Sequence, residues 1–597
     1  MRTPCLFVLL LAAGPLCAAN PDKARVHWSF QPVRRPPVPA VRDRAWVRSP
    51  PDAFVLARLE AAGLRPAPAA DKRTLLRRVY LDLIGLPPTP AEQRAFLADR
   101  SPGAFARVVD ALLARPEYGE RWGRHWLDVA RYAETNGYER DGPKPSAWRY
   151  RDYVLDALNA DLPYQRFVTE QLAGDELADA DARTRAATTF LRLGTWDDEP
   201  ANEKVDRYEQ LDDVLGVTAS AFLGLTLRCA RCHDHKFEPF SQADYYRMLA
   251  VFEPLKRPQR GRADLDRPVG TKAQLAAYEL ALSRLAMPPK LPRAYVWFED
   301  GPTAPPTHVL RRGSPSNPGA VVTPGVPAVL ARQQPAPPTA LARSTGRRLW
   351  LARWIAGPDN PLTARVMVNR VWAWHFGKGL VATPSDFGVA GERPSHPELL
   401  DWLASEFVAG GWRLKRLHRL IVLSSAYQTT SALEAGDRRA DERLALFGRW
   451  RQHRAEAEVV RDSVLAVSGR LNPERGGPSV YPPLPRAVLE SQSRPGNGWG
   501  KSDEHQSSRR SIYVFSKRSL ALPELELLDA PDTASSCEQR PLSTTAPQAL
   551  TFLNGAFMQE QAGHFADRLR REAGADDAAQ VRRAFELALC RPARPYE

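Results

Sequence analysis

The sequence predicts a mainly α-helical protein in which two helical domains are joined by a proline-rich, irregular insert. Apolar residues recur at helical spacing in both halves, capping boxes precede several of these runs, and prolines cluster between the halves. The chain has 597 residues, of which 43% are hydrophobic, and this length exceeds what one hydrophobic core usually organises. We therefore predict helical domains at 49–256 and 347–597, with the insert at 257–346.

The N-terminus has the three-part layout of a secretory signal. Arg2 precedes an apolar run from Leu6 to Ala13, and the small residues Cys17-Ala18-Ala19 follow. We predict a signal peptide at 1–19, cleaved after Ala19, and an extended segment at 20–48.

This layout indicates export to the periplasm or cell envelope. The apolar run is too short for a permanent membrane-spanning helix, and no later segment reaches about 18 consecutive apolar residues. We expect no transmembrane segment in the mature chain. Cys17 also suggests a lipoprotein, but Gly14-Pro15-Leu16 lacks the usual approach to a lipidated cysteine.

The first domain begins with a helix that starts at Ser49-Pro50-Pro51, and a second helix ends at Gly85-Leu86-Pro87-Pro88. Their apolar residues recur at the spacing of one helical face. They are Phe54, Val55, Leu59 and Ala62, then Leu75, Leu76, Val79, Tyr80, Leu83 and Ile84. Thr89-Pro90-Ala91-Glu92 is a capping box with proline at the first helical position. Another helix is expected from Ser101-Pro102.

Proline clusters in the insert interrupt any long helix or central strand. They are Pro288-Pro289, Pro302-Thr303-Ala304-Pro305-Pro306 and Pro335-Ala336-Pro337-Pro338. A short β element is indicated around Ala294 to Phe298.

The second domain again has a helical pattern. Ser395-His396-Pro397-Glu398 predicts a capping box, and the helix that follows it ends at Gly410-Gly411. Segments 455–469 and 579–589 show the same period.

The charge pattern argues against nucleic acid as a partner. The formal net charge is +14, from 83 basic and 69 acidic residues, but the basic residues are scattered and an exported protein is not expected to meet DNA. A polyanionic glycan or an acidic redox partner suits the compartment. A solvated, arginine-rich surface explains the same excess without any partner.

The element Cys229-Ala230-Arg231-Cys232-His233 predicts covalent attachment of a c-type haem. Two thiols three positions apart can form thioethers with the haem vinyl groups, and the adjacent His233 can bind the iron. Cys537 and Cys590 are the other cysteines that remain after signal cleavage, so the protein does not depend on a disulfide framework.

Three other interpretations of this element stay open. Cys229 and Cys232 could form a reversible disulfide. With His233 and His235 they could hold a non-haem metal ion. Both cysteines could also be small buried hydrophobic residues without chemistry.

The second axial ligand of such a haem is open. His235 is too close in the chain to His233 to reach the opposite face of the same haem. Met248 is a better candidate, and His125 is another because it shares a helical face with aromatic residues. A five-coordinate iron would favour catalysis over simple electron transfer.

Two further stretches are candidate site walls. Clustered oxygen ligands in 197–203, above all Glu199 and Glu203, could bind a cation or act as acid and base, or form a solvated loop. In 118–153, arginines alternate with aromatic residues, a pattern that suits sugar stacking, anion binding or plain helix packing. This second stretch also contains Glu134, Asn136, Glu139 and Asp141.

The chain resembles the planctomycete-type cytochrome-c-like proteins, in which a cytochrome-like domain precedes a partner domain of unknown function. Similar stretches in the first domain are Leu81-Asp82-Leu83-Ile84-Gly85-Leu86-Pro87-Pro88, His125-Trp126-Leu127-Asp128-Val129-Ala130-Arg131-Tyr132-Ala133, and Phe222-Leu223-Gly224-Leu225-Thr226 with the residues from Cys229 to Phe237. Those in the second are Arg365-Val366-Met367-Val368-Asn369-Arg370-Val371-Trp372, His396-Pro397-Glu398-Leu399-Leu400-Asp401-Trp402-Leu403, Ser424-Ser425-Ala426-Tyr427-Gln428, Gly476-Gly477-Pro478-Ser479 and Thr545-Ala546-Pro547-Gln548-Ala549-Leu550.

The resemblance implies two domains that meet around the insert and an exported location, but no established reaction. Many such relatives begin with an additional small cytochrome domain, which is not expected here, so a separate redox partner is implied. The chain also ends earlier than the resemblance suggests.

Three functional hypotheses follow. The first is an exported haem c protein that transfers electrons or oxidises an unknown substrate. The second is a non-haem metal-dependent enzyme, such as a hydrolase of extracellular polysaccharide, that uses Glu199, Glu203, His233 and His235. The third is an envelope scaffold. The sequence decides neither whether the protein is an enzyme nor its oligomeric state.

Overall fold

The computed structural model confirms that the protein is mainly α-helical. It describes residues 24–258, 262–331, 333–433, 437–492, 496 and 498–597. The predicted signal peptide therefore lies outside the described residues. No helix within the described ranges is long and apolar enough to cross a membrane.

The first helical region contains the helices that the apolar periodicity predicts. They are α1 (Pro50–Ala61), α2 (Lys72–Leu83), α3 (Pro90–Ala98), α4 (Ala104–Ala114), α5 (Glu117–Val129), α6 (Trp148–Asn159), α7 (Tyr164–Ala173), α8 (Ala182–Ala187), α9 (Glu203–Thr218) and α10 (Gln242–Leu249). The capping box of α3 is confirmed, because Glu92 N donates to Thr89 Oγ1 and Thr89 N donates to Glu92 Oε2. Helix α4 begins after Gly103, a little later than predicted.

The insert is more regular than its prolines suggest. It contains α11 (Arg262–Leu265), β1 (Asp266–Pro268), α12 (Lys272–Ser283), β2 (Arg293–Tyr295), β3 (Thr307–Leu310) and β4 (Pro318–Val322). Strands β1 and β2 pair antiparallel with Asp266 opposite Tyr295, and β3 and β4 pair with Thr307 opposite Val322. The predicted β element corresponds to β2.

The second region is helical as predicted. Its helices are α13 (Arg347–Ile355), α14 (Thr363–Phe376), α15 (Pro397–Ala409), α16 (Leu414–Val422), α17 (Ala440–Ala445), α18 (Ala457–Ser468), α19 (Arg486–Glu490), α20 (Glu504–Ser507), α21 (Pro523–Glu526), α22 (Ala546–Asn554), α23 (Ala556–Ala573) and α24 (Asp577–Leu589). The predicted capping box at the start of α15 is wrong. His396 is the N-cap and makes no side-chain cap, and Ser395 Oγ instead donates to the Leu380 carbonyl at 3.2 Å.

The two helical regions share one hydrophobic core. A single cluster of buried side chains contains Leu83 of the first region, Trp297 of the insert and Trp372 of the second region. The predicted domain boundaries therefore mark changes along the sequence, but one hydrophobic core continues across them.

Candidate functional site

Residues 228–235, here called the CxxCH turn, follow a local break in the helical chain. Helix α9 continues into a π-helical turn at Ala219–Leu223, and Gly224 then takes a left-handed conformation with φ of 59°. A short 3₁₀ turn at Arg228–Arg231 carries the first cysteine, and the second cysteine follows it directly. The sequence thus places both thiols on a tight turn rather than on a helix.

Helix α10 holds the CxxCH turn from one side. Gln242 Nε2 and Tyr246 Oη both donate to the Arg231 carbonyl, at 2.9 and 3.0 Å. The backbone N–H of Gln242 also donates to Asp234 Oδ1 at 2.7 Å. These bonds fix the backbone of the turn, while the side chains of Cys229, Cys232 and His233 remain exposed to solvent.

The insert holds the other side, through Gly313. A Cβ atom built on Gly313 would lie 2.8 Å from Cys232 Sγ and 3.5 Å from the Arg231 carbonyl oxygen. Gly313 also has a φ of 69°, so both space and backbone conformation favour glycine there. The sequence analysis did not predict this contact, because nothing local links the two residues.

The three reactive groups of the turn are exposed to solvent. Cys229 and Cys232 are free thiols, and the structure contains no disulfide between them. His233 Nδ1 lies 2.7 Å from the Asp234 carbonyl oxygen. Because a carbonyl oxygen only accepts hydrogen bonds, Nδ1 carries the proton and Nε2 is left as a free ligand atom.

His235 has a different role from His233. It is buried, and its Nδ1 accepts hydrogen bonds from the backbone N–H groups of Phe237 and Glu238 at 3.2 and 2.9 Å. Burial lowers the pKa of His235, with Asp386 acting against this shift. The neutral ring therefore supports the loop after the turn, with Nδ1 already occupied.

The structure does not bring Met248 or His125 to the reactive groups of the turn. The Met248 side chain is fully buried in α10. His125 stacks on Trp374 with ring centroids 4.6 Å apart, and burial lowers its pKa to about 3. Neither reaches the solvent-exposed side on which His233 lies.

His125 belongs to a buried cluster between the two helical regions. His375 Nδ1 lies 2.6 Å from Asp82 Oδ2, and His375 Nε2 lies 2.8 Å from His418 Nδ1. The Trp122 ring packs against His418 with centroids 3.9 Å apart. This cluster joins α2, α5, α14 and α16, so its evident role is to hold the regions together.

The acidic candidates lie elsewhere. Glu199 is exposed and pairs with Arg140 at 2.5 Å, while Glu203 is 3.5 Å from Arg257. Arg228 of the CxxCH turn reaches Asp212 at 3.6 Å. Because α9 rises 1.5 Å per residue, Glu203 lies about 14 Å from Asp212 along the helix axis.

Glu199 and Glu203 are therefore not assembled with His233 and His235 into the non-haem metal site of the second hypothesis. Among the described residues, the His, Cys, Asp and Glu side chains that come close enough to share an ion are Glu504, Glu560 and His564. None of these was a predicted ligand.

Comparison with known families follows the same division of the chain. Residues 50–257 match the model PSCyt2, a protein of unknown function (DUF1549), and residues 347–597 match PSD1, a protein of unknown function (DUF1553). They occur in the order of the planctomycete-type pair. No curated protein matches the chain, and no solved structure does.

Proposed function

We propose that this chain, which carries the planctomycete-type PSCyt2 and PSD1 domains in order, holds a covalent c-type haem on its CxxCH turn and exchanges electrons with a protein outside the cytoplasm. The free Nε2 of His233 beside two exposed, unpaired thiols is the observation that carries this proposal. Export remains part of the proposal, because it rests on the sequence of the first 19 residues.

The residues present fit this group. Cys229 and Cys232 would form the two thioethers, and His233 would supply a nitrogen ligand to the iron, with its ring oriented by the Asp234 carbonyl. Because Gly313 has no side chain, no Cβ atom crowds Cys232 Sγ from that side. A bound haem would supply one-electron redox chemistry at the protein surface.

The charge around the CxxCH turn favours electron exchange with an acidic protein. Exposed or partly exposed basic residues belong to the turn, follow it directly or precede Gly313: Arg228, which also pairs with Asp212 and Asp213, and Arg231, Lys236, Arg311 and Arg312. Asp234 is the exposed carboxylate within the turn itself. Such a basic surface accelerates encounter with an acidic partner, and the association rate should fall as salt is added.

The test is a pyridine haemochrome spectrum of protein exported from a host that matures c-type haem. The parent should show a thioether-type band, and the Cys229→Ala, Cys232→Ala double variant should lose it. The matched control is Cys537→Ala with Cys590→Ala, which removes the same number of thiols and should keep the band.

A His233→Ala variant separates attachment from ligation. It should keep the covalent band but change the iron absorption spectrum, because the thioethers remain while the axial nitrogen is lost. A well-folded parent with no band would overturn the haem proposal.

A further inference from the structure

The loop between α5 and α6 has an unusual backbone. Four of its non-glycine residues have positive φ: Arg131 at 52°, Tyr138 at 56°, Asp141 at 39° and Ser146 at 57°. Each such residue costs on the order of 1–3 kcal/mol and persists only where surrounding structure imposes it, commonly at functional sites. The structure around the loop must therefore impose this backbone.

Four cationic side chains converge behind this loop, and we call them the cation cluster: Arg131, Lys144, Arg192 and Arg518. The first three are almost fully buried, with 2%, 3% and 2% exposure. Lys144 Nζ donates to the Leu193 carbonyl at 2.7 Å, and Arg518 Nη2 donates to the same oxygen at 2.6 Å. Arg518 comes from the second helical region, so both regions build the cluster.

Carboxylates balance only part of this charge. Asp213 accepts from Arg131 Nε at 3.1 Å, and Asp141 is engaged by Ser519, whose N–H donates to it at 3.0 Å. Among the described residues, no carboxylate oxygen lies within 4 Å of Lys144, Arg192 or Arg518. Asp213 and Asp141, with Asp206 acting on Arg192 from further away, thus face three arginines and Lys144 in a buried environment, where an uncompensated charge is costly.

Arg192 is the least satisfied member. Its Nη1 makes only two long bonds, both of 3.3 Å, to the carbonyls of Gly194 and Thr195. Its Nε and Nη2 are buried and have no hydrogen-bond partner among the described atoms. Its guanidinium lies 4.0 Å from the ring centroid of Trp196.

Asn136 is joined to Trp196 through the backbone. Its backbone oxygen accepts from Trp196 N at 2.9 Å. Both polar atoms of its fully buried side chain are without a partner. A buried guanidinium edge and a buried amide, both with free donors, are the groups that recognise an oxyanion.

We propose that the cation cluster is a binding site for an oxyanion, the carboxylate or sulfate group of a ligand, with Arg192 and Asn136 as its donors. Arg192 offers a planar edge of N–H groups, the geometry that matches an oxyanion with two oxygens. Arg131 and Arg518 add the positive charge that favours an anion over water, and Lys144 adds a further N–H donor. Asp213 links the cluster to the CxxCH turn, because it pairs with both Arg131 and Arg228, but the donors of the proposed site lie outside the turn and do not require a haem.

The titration of Lys144 is consistent with this assignment. Burial lowers its pKa far below the usual value, and Arg518, Arg192 and Arg131 lower it further. A bound anion would offset this repulsion.

The experiment is thermal unfolding of the full chain in sodium sulfate, sodium acetate and sodium chloride at equal ionic strength. An anion that binds the folded protein raises Tm with concentration. Sulfate also stabilises proteins in general by exclusion from their surface, so the readout is the difference between parent and variant at each concentration. Sulfate and acetate arms distinguish the two sources of the oxyanion.

Two variants make the test decisive. Asn136→Asp places a carboxylate beside the cluster, so it should have a higher Tm than the parent without added anion and should lose most of the anion-dependent increase. Arg192→Gln should also lose that increase. The control Arg461→Gln removes an equally buried arginine elsewhere, which donates to a hydroxyl and two carbonyls and lies 4.0 Å from Asp462, and it should keep the increase.

Two results would overturn the proposal. One is a parent whose Tm rises no more in sulfate or acetate than in chloride. The other is an anion-dependent increase in Asn136→Asp or Arg192→Gln that equals the increase of the parent. Loss of haem from the Cys229→Ala, Cys232→Ala variant would leave both readouts unchanged, so the two proposals fail separately.

Discussion

Arg540 lies among buried acidic side chains where the two helical regions meet. Its Nε donates to Asp128 Oδ2 at 2.7 Å, and its two terminal nitrogens donate to Glu458 at 2.6 and 2.9 Å. Burial alone would raise the pKa of Glu458, but the Arg540 guanidinium outweighs burial and lowers that pKa to about 2. Arg124 also bonds Asp128, at 2.9 Å, and lies 3.7 Å from Glu458, so two arginines share these carboxylates and Arg540 makes the closer contact with Glu458.

We expect Arg540→Gln to lower the free energy of unfolding by about 3–5 kcal/mol at neutral pH, because buried Glu458 loses both of its hydrogen bonds and keeps only the more distant Arg124, 3.7 Å away. Arg419→Gln is the control. Arg419 also bonds one carboxylate, Asp110, with two nitrogens, but both partners are about half exposed. Arg419→Gln should lower the free energy of unfolding by about 0–1 kcal/mol. Denaturant unfolding measures both values.

The stability lost in Arg540→Gln should depend on pH. Glu458 has a lowered pKa in the folded state, so its contribution is complete above the ordinary glutamate pKa of about 4.3 and disappears as the pH falls toward 2. The stability difference between parent and Arg540→Gln should therefore shrink in acid. A difference that grows as the pH falls would contradict this account.

At this scale the sequence could locate the CxxCH residues but not their environment. The spacing of Cys229, Cys232 and His233 is a local signal, whereas the proton on Nδ1 of His233 depends on how the backbone turns at Asp234. His125 looked like a ligand because its helical face is aromatic. Its stacking partner Trp374 lies far along the chain, and no local pattern indicates it.

At the scale of elements, the change from α9 to the CxxCH turn depends on Gly224. It has a φ of 59°, and a Cβ atom there would lie 2.9 Å from Val366 and 3.0 Å from Phe387, both in the second region. Its carbonyl oxygen also accepts from the backbone N–H of Phe387 at 2.8 Å. The end of the π-helical turn is thus a point of close contact between the regions.

We expect Gly224→Ala to destabilise the protein by about 2–5 kcal/mol, since left-handed strain of about 1–2 kcal/mol adds to overpacking of about 1–3 kcal/mol. Gly411→Ala is the matched control. It has a φ of 77° but meets no atom closer than 4.0 Å, so it should show the strain alone. If Gly224→Ala and Gly411→Ala lowered the free energy of unfolding equally, the contact of residue 224 with Val366 and Phe387 would contribute nothing to stability.

The helices and strands also show which local sequence patterns are enough to predict structure. The box of Thr89 and Glu92 could be predicted because it depends on four consecutive residues. The same motif type at Ser395 failed because the Leu380 carbonyl competes for the serine hydroxyl. The pairing of β1 with β2 depends on contacts between segments about 27 residues apart, which the proline pattern of the insert does not reveal.

At the scale of the whole molecule, the two family regions are joined by buried charges as well as by a shared core. Arg510 of the second region donates to Glu120 of the first at 2.8 Å and to Asp462 of its own region at 2.8 Å. The hydroxyl of Tyr513 donates to the other oxygen of Glu120 at 2.8 Å. All these groups are buried. The two sequence regions are recognisable separately, but only the folded chain shows that neither completes its core alone.

We therefore expect the full chain to unfold in one cooperative transition, although chains of this size commonly unfold in several steps. In scanning calorimetry the measured and van't Hoff enthalpies should agree. Arg510→Gln should move the single transition to lower temperature without splitting it, because Glu120 and Asp462 lose their shared partner at a cost of about 3–5 kcal/mol. Arg486→Gln, which removes an arginine that is 90% exposed, should leave the transition in place. Two separate transitions in the parent would mean that each region folds on its own, and the buried contacts between them would then be a docking interface rather than part of a common core.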